Sequence, residues 1–402
     1  MPSHKVTFHN SHGHQLVGKL ELPLKKGPYP FAIFAHVFTG NKNLKAARHI
    51  SRALNLQGIA VLRFDFTGLG ESEGDFSNTN FSSNVDDIKA AAHFLSKHYD
   101  EPSIIIGHSL GGAAALYAGS EMNGVKAVAT IGAPFQPEHV KHLIGDSIQE
   151  IHDKGAAIIT VDNREFTIRK QFIDDLSRKD TMEIIKDFRK ALLILHSPQD
   201  MVVEIENAAK IYHAAKHPKS FVTLNGANHM LNNKDDAFYT GGVIASWVKR
   251  YVELPEKEKL RTTKQVMVKL ENDGFTTEIM AGNHGLVADE PEDIGGNDFG
   301  PSPYELLNAS LGACTAMTLQ MYARRKKWPL DTVKVHLSFD RRYIEDCASC
   351  EDPKSKISHF DVCINLEGNL SQEQRERLLE IANKCPVHRT LDEEVSFNTY
   401  LE

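Results

Sequence analysis

Two kinds of nucleophile stand out in the 402-residue sequence: a serine within Gly107-His108-Ser109-Leu110-Gly111, and five cysteines at positions 314, 347, 350, 363 and 385. Ser109 follows a β-branched run and precedes an Ala-rich segment that reads as a helix. A Gly-x-Ser-x-Gly turn between strand and helix forces its serine into a tight, strained backbone, and Gly107 and Gly111 remove the Cβ atoms that would collide there. The Ser109 hydroxyl then projects beyond the sheet edge. N–H groups at the start of the following helix point to the same place and favour negative charge developing on a substrate oxygen. That combination suits attack on an acyl carbon; the competing reading is a Gly-rich turn holding an ordinary serine. The cysteines all fall in the last third and are odd in number, which argues against a disulfide framework and for separate chemistry there. Cys347 and Cys350, followed by His359 and Cys363, have a spacing that suits zinc. Their segment is charged and lacks a second close pair, so they read as surface thiols. No metal or cofactor is expected.

The elements that must position these groups follow from apolar patterning. Length alone suggests two or three domains. A formal net charge of −7 offers no basic footprint for nucleic acid, and no apolar stretch approaches the roughly 20 residues that span a bilayer. The N-terminal MPSHKVTFHN shows no targeting pattern, so a cytoplasmic protein is expected. Residues 6–21 alternate around Asn10-Ser11-His12-Gly13 as a hairpin. Continuous apolar strands at 31–36, 59–64, 103–108, 191–196 and 220–224 then alternate with helices at 44–57, 83–98 and 237–251. This is the signature of a mostly parallel sheet covered by helices.

The segments HVFTGNK, RFDFTGLGESEG and GHSLGG, in that order and spacing, resemble the α/β-hydrolase family over about residues 1–253. The resemblance implies a Ser-His-Asp triad, with Ser109 as nucleophile and backbone N–H groups of Leu110 and Phe38 as the oxyanion hole. Val37 stands where many relatives have glycine. Ser109 needs an imidazole to take its proton and a carboxylate to orient that imidazole. Asp200 follows the strand at 191–196, and His229 follows the one at 220–224, in the family order Ser, Asp, His. His36 and His108 flank the site and read as turn-stabilising. Residues 133–189 exceed a simple crossover and read as a small cap in which PEHVKHLIGDSI and REFTIRKQFIDDL are short helices around a strand at 156–161. Phe135, Phe166 and Phe172 are candidates to line the cap, although burying it against the main domain is the simpler role.

The charged, Pro-bearing stretch 254–261 reads as a linker. Beyond it come strands at 265–271 and 276–281 joined by Asn272-Asp273-Gly274, and an unusually apolar helix at 304–326 carrying Cys314, which is expected to be buried all round. Strands near 333–339 and 360–367 and a helix at 372–384 lead to Cys385. The segments ADEP, GGNDFGPSPYELLNASLGAC and IANKCPVHRTL resemble the OsmC/Ohr family of thiol-dependent organic hydroperoxide reductases over about residues 262–402, an α+β domain with a buried central helix. The resemblance implies Cys314 as the peroxide-attacking thiol, Cys385 as the resolving thiol, a dithiol reductant, and a homodimer through this domain. The family's activating arginine has no match between Arg261 and Arg324. His284 lies near its expected place, and Glu305 lies one residue from that of the orienting glutamate, which Tyr304 occupies. The sequence therefore points to a two-domain hydrolase of carboxylic esters or thioesters whose second domain either reduces hydroperoxides or only holds two copies together.

Overall fold

Strands that are apolar on both faces must be covered on both faces. In the computed structural model, which describes residues 3–23, 28–161, 163–254, 260–270, 274–343 and 356–401, the first part of the chain solves this with one sheet of eight strands. The chain divides into two compact units, one in Met1–Lys259 and one comprising Leu260–Leu270 and Gly274–Glu402.

In the first unit, β1 (Ser3–His9) and β2 (Gln15–Glu21) form the entering antiparallel hairpin. Then come β3 (Phe31–Ala35), α1 (Lys45–Leu56), β4 (Ala60–Phe64), α2 (Phe81–His98), β5 (Ile104–His108), α3 (Leu110–Glu121) and β6 (Ala127–Ile131). A cap holding the antiparallel hairpin of β7 (Ala156–Val161) and β8 (Arg164–Arg169) precedes β9 (Ala191–His196) and β10 (Lys219–Thr223). The sheet order is β1-β2-β4-β3-β5-β6-β9-β10, parallel from β4 onward. Period-two alternation divides the core. Phe31, Ile33, Ile105, Leu192 and Ile194 join α2 and α3 on one face, while Ala32, Phe34, Ile104, Ile106, Leu193 and Leu195 join α1 and the helix Lys234–Val248 on the other.

The cap departs from the sequence reading at REFTIR, expected within a helix but observed as β8; the helix begins only at Lys170 and runs to Ser177. The aromatic and β-branched residues Phe166, Thr167 and Ile168 favour the pleated partner that β7 supplies. Phe135 and Phe172 are buried in the main core and Phe166 packs against it. No helix among the described residues is long and apolar enough to cross a membrane.

The second unit has a three-stranded antiparallel sheet (Val266–Leu270, Thr277–Ala281, His284–Ala288), a 24-residue helix (Pro303–Lys326), a long hairpin (Thr332–Tyr343 with Lys356–Glu367) and the helices Gln372–Ala382 and Pro386–Asp392. The strand at 284–288 and the last helix were not anticipated. Ser302 and Glu305 close a capping box at the start of the long helix, and Arg324, Arg325 and Lys326 oppose its dipole at the other end. The expectation that this helix is buried all round is corrected. Leu311, Thr315, Leu319 and Ala323 are covered, but Met317 and Met321 are 65% and 72% exposed. Residues 255–259 of the expected linker, residues 272 and 273 of the hairpin turn, and Cys347 and Cys350 lie outside the described residues.

Candidate active site

Parallel strands carry their loops to one edge of the sheet, and the ends of β3, β5, β9 and β10 supply the candidate residues. Ser109 adopts φ 56° and ψ −125° between β5 and α3, a backbone that costs a non-glycine residue strain. The turn is feasible because a Cβ on Gly107 would lie 2.2 Å from the Gly111 carbonyl oxygen, and one on Gly111 would lie 2.3 Å from that of His36. Ser109, Asp200 and His229 are 8%, 6% and 8% exposed. The Ser109 hydroxyl donates to His229 Nε2 at 2.9 Å, and His229 Nδ1 donates to Asp200 Oδ2 at 2.7 Å. An ionised carboxylate can only accept, which fixes the proton on Nδ1 and leaves Nε2 basic toward the serine.

Asp200 is itself restrained. Its Oδ1 accepts the N–H groups of Val202 and Val203, each at 2.9 Å. Burial pushes its carboxyl up, but the His229 hydrogen bond and these two N–H groups outweigh that and hold it below the usual carboxylate range. Gln199 ties the acid loop to the histidine loop by accepting the Gly226 N–H at 2.7 Å.

The two histidines beside the site resolve into positioning groups. His108 is buried and donates Nε2–H to the carbonyl oxygen of His229 at 2.7 Å, joining the serine turn directly to the histidine loop. Burial, and then repulsion from the His229 imidazole, lowers its pKa to about 3. His36 donates Nδ1–H to the Val37 carbonyl at 2.8 Å, and burial lowers its pKa to about 4. Both remain neutral near pH 7, so neither competes with His229 for a proton.

The backbone N–H groups of Phe38 and Leu110 have no hydrogen-bond partner among the described residues, and both residues line one small cleft. The loop carrying Phe38 holds two features that the motif did not disclose. Thr39 has φ 56°, and its carbonyl accepts from Arg164 of the cap hairpin at 2.6 Å. Behind it, buried Asp65 accepts the Lys42 N–H at 2.6 Å and the Glu71 N–H at 2.9 Å, and pairs with the Lys42 ammonium. Asp65 stands inside the segment RFDFTGLGESEG, which was the only signal of its role.

In the second unit, Cys385 is buried and caps the last helix by accepting the His388 N–H at 3.3 Å. Its Sγ is 3.5 Å from the hydroxyl of Thr315, the residue after Cys314. Cys314 is half-buried, and it, Cys363 and Cys385 are free. His284 is exposed, and the Glu305 carboxylate accepts the Ser302 N–H at 2.7 Å in the capping box. Among the described residues, no hydrogen bond joins either side chain to Cys314.

Comparison with known proteins agrees with this division. A family described as serine aminopeptidase, S33, matches residues 40–171, and one described as OsmC-like protein matches residues 295–399. The structure of the esterase domain of a Rhodothermus marinus protein is 47% identical, covers 62% of this chain and 99% of its own, and superposes with a TM-score of 0.53. Mouse alpha/beta hydrolase domain-containing protein 10 has the same fold at 21% identity, 61% and 99% coverage, and a TM-score of 0.52. Palmitoyl-protein thioesterase ABHD10 of Rattus norvegicus mitochondria is 32% identical over 93 residues; the match spans 23% of this chain and 30% of that relative. The chain thus belongs to the α/β-hydrolase family through its first unit and carries an OsmC-like domain in its second.

Proposed function

We propose that the first unit is a serine hydrolase of carboxylic esters or thioesters that works through an acyl-enzyme. The observation that carries this reading is the continuous path from Ser109 Oγ through His229 to Asp200, with hydrogen bonds of 2.9 and 2.7 Å. Ser109 attacks the acyl carbon as His229 Nε2 takes its proton. The oxyanion is held by the Leu110 and Phe38 N–H groups. His229 then protonates the leaving alcohol or thiol, and water attacks the acyl-enzyme by the same route in reverse. Asp200, kept ionised, stabilises the imidazolium. The similarity to an esterase domain at 47% identity and the partial match to a thioesterase support these substrate classes. Mixing the full chain with p-nitrophenyl acetate should give a burst of p-nitrophenol equal to the enzyme, and Ser109→Ala should lower kcat by about 10⁴-fold or more. A folded Ser109→Ala protein that retained the burst would exclude Ser109 as the nucleophile.

The second unit is read as a dimerising domain, supported by the exposed apolar side chains of its first strand and long helix. Its redox reading has Cys314 thiolate attack an organic hydroperoxide, releasing an alcohol and forming a sulfenic acid. Cys385 then condenses with it, releasing water, and an external dithiol reduces the resulting disulfide. Cys385 meets the residue after Cys314 rather than Cys314 itself, and with the placement of His284 and Glu305 this favours the scaffold.

A further inference from the structure

The turn that carries the Phe38 N–H has a backbone that its own residues do not favour. The Gly40 N–H donates to the Val37 carbonyl at 3.0 Å, which makes Phe38 and Thr39 the two central residues of a four-residue turn. Thr39 has φ 56°, and a turn with a positive φ at its third residue ordinarily takes glycine there. A β-branched residue in that region is strained and persists only where its surroundings hold it. One restraint is local: the Thr39 hydroxyl donates to the Phe38 carbonyl at 2.7 Å. The other comes from the cap. Across 125 residues of sequence, Arg164 at the start of β8 donates Nη2–H to the Thr39 carbonyl at 2.6 Å. Thr39 is 1% exposed, and a charged donor on a buried carbonyl is among the stronger hydrogen bonds of a fold. The guanidinium is itself steadied, lying 5.2 Å from the centroid of the Phe166 ring, which in turn meets Phe76 at 5.2 Å. The cap touches the turn a second time where Phe172 meets the Phe38 ring at 5.6 Å. That contact places a side chain, whereas Arg164 acts on the backbone.

We propose that Arg164 is a positioning residue: its hydrogen bond to the Thr39 carbonyl holds the strained turn that aims the Phe38 N–H at the oxyanion. The cap then takes part in transition-state stabilisation without touching substrate. This rests on the serine-hydrolase reading above. An oxyanion donor works because it is fixed before charge develops, and losing one outright costs about 10²- to 10³-fold in kcat. Letting it drift costs less. Binding of the uncharged ester does not depend on the oxyanion donor, so the loss falls on kcat and leaves KM in place.

The test uses Arg164→Met, which keeps the aliphatic stem of an exposed side chain, and Arg164→Lys, which keeps a charged donor, both in the full chain with p-nitrophenyl acetate. In the methionine variant kcat should fall by about 10- to 100-fold with KM within about twofold, and the lysine variant should recover part of the rate. A trifluoromethyl ketone, whose carbonyl adds Ser109 Oγ and becomes an oxyanion, should bind the methionine variant more weakly by about the same factor. Thr39→Gly gives an independent check, because glycine adopts the positive φ without strain. In that background Arg164→Met should lower kcat by no more than about threefold. A lower melting temperature with kcat and ketone affinity unchanged would make Arg164 a brace of the fold and overturn the proposal. So would a raised KM at constant kcat, the mark of a substrate contact, or equal losses in the two backgrounds. Labelling by a fluorophosphonate separates the two levels. A wild-type protein that is labelled and active but indifferent to Arg164→Met removes only the positioning role, whereas one neither labelled nor active on the ester removes the hydrolase reading with it.

Discussion

The two units dispose of their chemistry in opposite ways. In the first, the serine, imidazole and carboxylate are each at most 8% exposed and each is joined to the next, and the histidine loop is tied to the serine turn through His108 and to the acid loop through Gln199. In the second, the side chains on one face of the first strand, Val266, Val268 and Leu270, are 50%, 60% and 54% exposed, as are Met317 and Met321 on the long helix. A polar constellation complete within one chain needs no partner. The apolar side chains left open on the strand and the long helix of the second unit are what the proposed dimer would cover. The first unit therefore reads as self-sufficient and the second as half of an interface.

The largest effect should come from attacking that proposed interface. Val268→Asp combined with Met321→Asp should place unpaired carboxylates on both faces and convert a dimer into a particle of 44.9 kDa by light scattering, with the dissociation constant weakened by about 100-fold or more. Esterase kcat per chain should stay within about twofold, since neither residue belongs to the first unit. A wild-type protein already of single-chain mass would remove the scaffold reading, and loss of esterase activity on dissociation would break the contrast.

Acid should strike the units unequally. His36 and His108 are buried with pKa values near 4 and 3, whereas His284, His336, His359 and His388 of the second unit are exposed or half-buried. A histidine whose folded pKa is depressed binds its proton more readily when unfolded, so its stabilising contribution is complete above the unfolded pKa of about 6.5 and falls as pH drops toward 3 to 4. Asp200 acts with the same sign, its contribution being lost only below the ordinary carboxylate range. The combined loss is on the order of several kcal/mol. Calorimetric scans between pH 7 and pH 4 should show the transition of the first unit moving down steeply and that of the second moving less; parallel shifts would contradict the assignment.

What could be read in the sequence follows the same divide. The parallel sheet was legible because strands apolar on both faces leave an unmistakable run, and Ser109, Asp200 and His229 were legible because each stands just past such a run. Arg164, Thr39 and Asp65 were not, because their roles depend on contacts between elements far apart in sequence: a cap residue reaching the Thr39 carbonyl, and a carboxylate under Lys42 and Glu71. β8 was misread because Arg164–Arg169 gains its identity from pairing with β7 rather than from its own pattern. The long helix was expected to be buried because its sequence is apolar on all sides, yet sequence does not say whether the cover comes from the same chain.

His108 gives the smallest and most specific test of the first unit's self-sufficiency. Replacing it with leucine keeps an apolar body in a buried position but removes the donor to the His229 carbonyl, leaving a buried acceptor unpaired at a cost of about 1–3 kcal/mol. If that bond only supported the fold, the melting temperature would fall and kcat would not. If it holds the histidine loop at the distance the serine requires, kcat should fall by about 10- to 100-fold with KM little changed, because displacement of the base affects proton transfer more than substrate binding. His108→Gln, which can restore a donor from an amide nitrogen, should recover part of the rate. The pH dependence sharpens the distinction. Because His108 does not protonate until about pH 3, the leucine variant should keep the wild-type profile at a lower plateau. A changed profile in the leucine variant would mean that the neighbouring ring tunes the base rather than positions it.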